Sequence, residues 1–175
     1  MDIRALLKSA GLPKDLLTQD IGVAKNYPEL LDLWDILYSK TTTRVVFVYG
    51  SASPKKDRLC AVLLKSLMES RSKKGLWLTP TRIPATQFGE GSYSFPPAGV
   101  TAVMGVDLLS PAQVKILVGH IRDQIPEDRC FILEVSSKQA LEDVIGRQAL
   151  AYLCHYAVAL ELTTEKVEPI TVIGR

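Results

Sequence analysis

Cysteine and histidine are scarce in this 175-residue sequence: three cysteines, Cys60, Cys130 and Cys154, and two histidines, His120 and His155. The cysteines are odd in number, far apart and form no CxxC pair. That excludes a zinc site of paired cysteines and a disulfide framework, and it predicts buried small apolar residues in a reducing compartment. The histidines have no ligand-like spacing, so no metal site is expected. No apolar run reaches the length of a membrane span. The amino-terminal stretch MDIRALLKSAGLPKDLL is interrupted by Asp2, Arg4, Lys8 and Lys14, unlike a signal peptide, so a cytoplasmic protein with no membrane partner is predicted. Strong charge of either sign is also missing. A net charge of +2 gives no general case for nucleic-acid binding and leaves only local basic clusters to consider. There is no internal repeat and no low-complexity tract.

What is present is ordinary for a globular domain, with 47% hydrophobic and 23% charged residues, and the length suits one core rather than two. Ile3, Leu6, Leu7 and Ala10 recur at helical spacing, and Gly11-Leu12-Pro13 closes that helix. Lys14 to Val23 follows as a short helical turn. Pro28 opens a better helix carrying Leu30, Leu31, Leu33, Trp34, Ile36 and Leu37. Residues 1–40 therefore read as a helical segment packed on a core formed by 41–175. In that core, Arg44 to Tyr49 is a continuous apolar run typical of a strand buried on both faces. Asp57 to Ser70 is a helix with Leu59, Val62, Leu63, Leu67 and Met68 on one side, and Leu76 to Thr79 a second strand. Pro80 to Gly99 is a long proline- and glycine-rich insert with exposed Phe88, Tyr93 and Phe95, the kind of loop that docks a partner or stacks bases. Val100 to Val106 is a third strand, Pro111 to Gln124 a helix, and Cys130 to Val135 a fourth strand. Ser137 caps a helix from Lys138 to about Tyr152, and Tyr156 to Leu162 with Pro169 to Ile173 form a hairpin. Strands alternating with helices in this way predict an α/β fold: a three-layer, mostly parallel sheet with helices on both faces and a C-terminal β-hairpin.

The junction after the first strand carries the main chemical signal. A working phosphate loop reads GxxxxGK[ST] between strand and helix. Its glycines let backbone N–H groups curl around phosphates, its lysine meets the β- and γ-phosphates, and its hydroxyl holds magnesium. Here the run is Gly50-Ser51-Ala52-Ser53-Pro54-Lys55-Lys56-Asp57. The first glycine, the spacing and Lys56 remain. Lys55 stands where the second glycine belongs, and a side chain is costly there if φ is positive. Asp57 replaces the hydroxyl and repels phosphate while complementing the helix dipole. Pro54 removes an N–H donor. The run reads either as a degenerate nucleotide loop or as a plain strand-to-helix turn. Asp107, after the apolar Ala102-Val-Met-Gly-Val106, has two readings as well: a magnesium-shell carboxylate, or a cap before Ser110-Pro111. Ser136 and Ser137 after the fourth strand are candidates for sensing a γ-phosphate, or caps.

These residues resemble the RecA superfamily, in its RadA, RadB and KaiC-like branch. TRVVFVYGSASPKKDRLCAVLL is similar to that branch's strand, loop and helix, KKGLWLTPTRIPATQF to its second strand, and GVTAVMGVDLLS to its third. RQALAYLCHYAVALELTTEKVEPITVIGR is similar to its closing strands and polar turn. The resemblance covers about residues 40–175 and implies a RecA-like P-loop NTPase fold, an ATP-dependent recombination or signalling role, and frequent oligomers. The second strand ends Leu78-Thr79-Pro80-Thr81, without the glutamate that such a core uses as general base, so no catalytic residue is assigned. A second resemblance, through SAGLPKDLLTQ and the helix before the core strand, is to DnaC-type helicase loaders of the AAA+ class.

The resulting expectation is a catalytically silent RecA-like paralogue that binds a protein partner (a recombinase, a helicase or a paralogue) in DNA recombination or repair, as an oligomer or hetero-complex. No cofactor is expected. The alternatives are a divergent protein binding ATP and magnesium through Lys56 and Asp107, and a helicase-loader-like replication adaptor. Single-stranded DNA is a further expected partner, through phosphate contacts from Lys55, Lys56, Arg58, Arg71, Lys73 and Lys74.

Overall fold

A computed structural model describes residues 2–17, 43–80, 95–163 and 167–170. The elements are α1 (Ile3–Ser9), α2 (Lys14–Leu17), β1 (Val45–Tyr49), α3 (Pro54–Arg71), β2 (Gly75–Leu78), β3 (Val100–Val103), α4 (Pro111–Gln124), β4 (Cys130–Val135), α5 (Lys138–Ile145), α6 (Arg147–Cys154), β5 (Ala157–Leu162) and β6 (Val167–Ile170). The strands form one sheet in the order β2-β3-β4-β1-β5-β6. The first five are parallel and β6 returns antiparallel to β5. The chain is thus an α/β protein with a mostly parallel sheet, helices on both faces and a C-terminal hairpin. The expected helix opening at Pro28 and most of the Pro80–Gly99 insert lie outside the described residues.

Strand parity builds the two layers of core. In β1, Val46 and Val48 point into one cluster with α1, α2 and α3, while Val45, Phe47 and Tyr49 point into the other with α4, α5 and α6. Every residue of β1 and β4 is buried, which is why both read as unbroken apolar runs. The connection leaving β1 crosses one face, and those leaving β3 and β4 cross the other. The direction of winding therefore reverses at β1, and ligands of open α/β sheets bind outside the carboxyl end of such a strand.

Helix α3 begins three residues earlier than the periodicity predicts. Ser53 caps it, its hydroxyl accepting the Lys56 N–H at 3.2 Å, and Pro54 fits the first turn, where no N–H partner is needed. Its apolar face is wider than expected: Leu59 through Met68 are all buried, because α1 and α2 cover the side turned away from the sheet with Leu7, Ala10, Leu12 and Leu16. Lys65, inside this run, is satisfied by Glu69 one turn on, at 3.0 Å. Helix α1 also shields the edge strand, since the Trp77 N–H donates to Ala10 O at 2.6 Å.

Two other boundaries depart from expectation. The third strand stops at Val103 rather than Val106, and the chain turns through Gly105 into a short 3₁₀ turn, Val106–Leu108. The single helix expected from Lys138 to about Tyr152 is two helices. Gly146, at φ 82°, breaks it in a conformation that a side chain resists.

Candidate functional site

Parity also decides where the one acid of β4 goes. Cys130 and Ile132 face α3, so Glu134, two residues further along CFILEV, faces it as well. There it meets the first turn of α3 and forms an ion pair with Lys56. Lys56 is 1% exposed, and its Nζ also donates to Gly50 O and Val135 O, both at 2.5 Å. The second carboxylate oxygen, Glu134 Oε2, accepts the Gly105 N–H at 2.5 Å. One ammonium and one carboxylate therefore join the ends of β1, β4 and β3. Each charge finds several partners, as burial of an ion pair requires. The sequence places Lys56 where a phosphate loop keeps its lysine, yet in the folded chain all three of its donors have acceptors within the protein.

The remaining loop residues surround a cleft of about 540 Å³ at the carboxyl ends of β1 and β5, lined in part by Gly50, Ser51, Ser53 and Lys55 from the loop. Ser136, Glu161 and Thr163 supply the opposite wall. Gly50 has a structural reason to be glycine: at φ 136° its N–H reaches Ser136 O, and a Cβ would lie 2.6 Å from Leu162 O. The expected strain at Lys55 is absent, because α3 has already begun there and positive φ among non-glycine described residues is confined to Ser72 and Asp128. Asp57 is half-buried at the start of α3. Burial, and then the Glu134 charge, push its carboxyl above the ordinary range.

Asp107 sits in the 3₁₀ turn, and its Oδ2 accepts the Ser136 hydroxyl at 2.6 Å. Ser137 is the cap of α5, accepting the Ala140 N–H at 3.0 Å. The six basic residues considered together in the sequence fall into two groups. Lys55, Lys56 and Arg58 lie on the first turns of α3, whereas Arg71, Lys73 and Lys74 lie at its far end. A helix of 18 residues is about 27 Å long, so the sequence cluster is not one surface. Lys56 is moreover withdrawn from the surface altogether.

At the far end Asp128 gathers the cations. Its Oδ1 pairs with Arg71 and Arg44, each at 2.8 Å, and Lys73 Nζ donates to its backbone oxygen at 2.8 Å. Burial alone raises this carboxyl, but Arg44, Arg71 and Lys73 together outweigh it and hold the group below the ordinary range. The partner-loop residues Phe88 and Tyr93 lie outside the described residues. Phe95, expected to be exposed, is 8% exposed. It stacks on His120 with ring centroids 4.2 Å apart, because the returning end of the insert runs beneath α4. Glu134 and Asp128 are the residues that sequence reasoning left without a role. For Glu134 the signal was present: a lone acid inside a fully apolar strand requires a buried cation.

No described protein family and no curated protein matches the sequence. The chain is similar in fold to a solved structure described as the crystal structure of a DNA replication initiation factor, with 10% sequence identity and a TM-score of 0.58. The match covers 86% of this chain but 49% of that one, so this chain spans about half the length of the protein it resembles.

Proposed function

We propose that this chain is an adaptor of the helicase-loader kind, built on a P-loop-like α/β domain that holds a protein partner during DNA replication and does not turn over nucleotide. The observation that carries the reading is the state of Lys56. Its ammonium is buried against Glu134, Gly50 O and Val135 O. A triphosphate competing for it must break an ion pair whose disruption leaves a buried carboxylate unpaired, at a cost of about 3–5 kcal/mol. The cleft beside it adds Glu161 to the wall and Pro54 to the loop, one anionic and the other lacking an N–H. These residues do not fit a triphosphate with magnesium. The fold likeness to a replication initiation factor favours replication over recombination among the expected pathways.

Calorimetric titration with ATP and magnesium tests the first half. No heat of binding is expected at millimolar nucleotide. Binding in the parent that disappears in Lys56→Ala overturns the nucleotide-silent reading. Co-purification tests the second half: a replicative helicase recovered with the chain supports the loader role, and a recombinase recovered in its place restores the recombination reading.

A further inference from the structure

The end of the sheet remote from the loop has more charge than the fold uses. Arg44, Arg71, Lys73, Lys74 and Arg129 gather there around Glu127 and Asp128, a local excess of cations larger than the net charge of +2 on the whole chain. Asp128 anchors three of the five. The Lys74 and Arg129 side chains have no ion-pair partner among the described residues, and Lys74 is exposed. Between them runs a groove of about 340 Å³, lined also by Pro97, Ala98, Gly99 and Glu127. Lys73 forms one wall. Its stem lies across Gly99, where a Cβ would come within 2.2 Å of it, so that ammonium is held in place by packing as well as by Asp128.

We infer that this groove, at the amino-terminal edge of the sheet, binds the phosphodiester backbone of single-stranded nucleic acid, with Lys74 and Arg129 as its phosphate contacts. Two features favour a polynucleotide over an acidic protein. Among the described residues the groove is lined by Lys73, Lys74 and Arg129, by the single exposed acid Glu127, and by Pro97 and Ala98 as its apolar side chains, so these residues form no pocket for the buried anchor residue that protein partners rely on. It also presents fixed and free cations side by side, which suits a chain of evenly spaced phosphates. Among the described residues none that lines it is aromatic, so the contact we infer is to the backbone and independent of base sequence. The inference rests on the replication reading only for the choice of nucleic acid among polyanions. It places that contact away from the nucleotide-loop cleft.

The test is titration of a labelled oligothymidylate of about 30 nucleotides across a salt series, with the full chain. The Lys74→Glu/Arg129→Gln variant is expected to bind at least tenfold more weakly at about 50 mM salt. The slope of log affinity against log salt is expected to fall by about 1.4, the loss of two single-strand phosphate contacts. Lys74→Glu alone, at an exposed position, is expected to move both readouts in the same direction. Lys138→Glu, an equal charge change on α5 at the opposite edge, is expected to leave binding unchanged. Absence of binding by the parent at low salt overturns the proposal, and so does equal weakening by Lys138→Glu. Polyglutamate competing as well as oligothymidylate at matched charge overturns it in favour of an acidic protein. Helicase co-purification is read separately, so loss of one result leaves the other standing.

Discussion

At the residue scale, Lys56 and Glu134 form a unit. Removing either alone leaves a buried charge: Lys56→Met or Glu134→Leu is expected to cost about 3–5 kcal/mol in urea unfolding. The double variant Lys56→Met/Glu134→Leu places apolar groups on both sides and is expected to recover most of that loss, giving a coupling energy well beyond additivity. Additive losses would mean that the two side chains do not meet. The same residues mark the boundary of what the sequence revealed. The position of Lys56 was legible because loop spacing is local. Its destination was not, since that depends on β4, nearly eighty residues away in the chain, lying beside β1. Glu134 could have been paired with it by parity alone once β4 was placed next to β1, but strand order is not written in any one segment.

At the scale of elements, helix α3 carries most of the architecture that positions the loop. Its cap is a single hydrogen bond from the Lys56 N–H to Ser53 Oγ, so Ser53→Ala is expected to lower stability by about 1 kcal/mol. A melting shift well below that would mean the first turn is held by Pro54 and the Lys56 ion pair instead. Periodicity correctly placed β1, α4 and β4, where long apolar runs or a Ser-Pro start leave little choice. It shortened α3 and merged α5 with α6. Both misreadings concern helix ends, where one residue decides: Pro54 read as loop begins the first, and Gly146 read as helix interior divides the second. Phe95 misled for another reason. A proline- and glycine-rich setting suggested exposure, while tertiary contact with His120 put the ring under α4.

For the whole molecule, the Asp128 cluster joins the start of β1, the end of α3 and the start of β4. Its folded carboxyl lies below the unfolded value, which is about 3.9. The stabilisation it provides is therefore complete above that unfolded value and is lost as pH falls through the lower folded one. Asp128→Asn, which suits the positive φ at this position, is expected to melt below the parent at neutral pH. The two melting curves should converge as pH falls below about 4. A gap that stays constant across this range would rule out charge as its source.

The Lys56 ion pair also bears on how such a loop changes over generations. Exchanging Lys55 for glycine and Asp57 for a hydroxyl residue would rewrite the loop as an intact phosphate-binding motif, yet Glu134 would still hold the ammonium that the motif needs. Recovery would require a change in β4 as well, and replacing Glu134 passes through a chain with an unpaired buried ammonium. The pair thus acts as a ratchet: a lysine that joins strand ends in this way is not released to hold an anion by changes in its own loop alone.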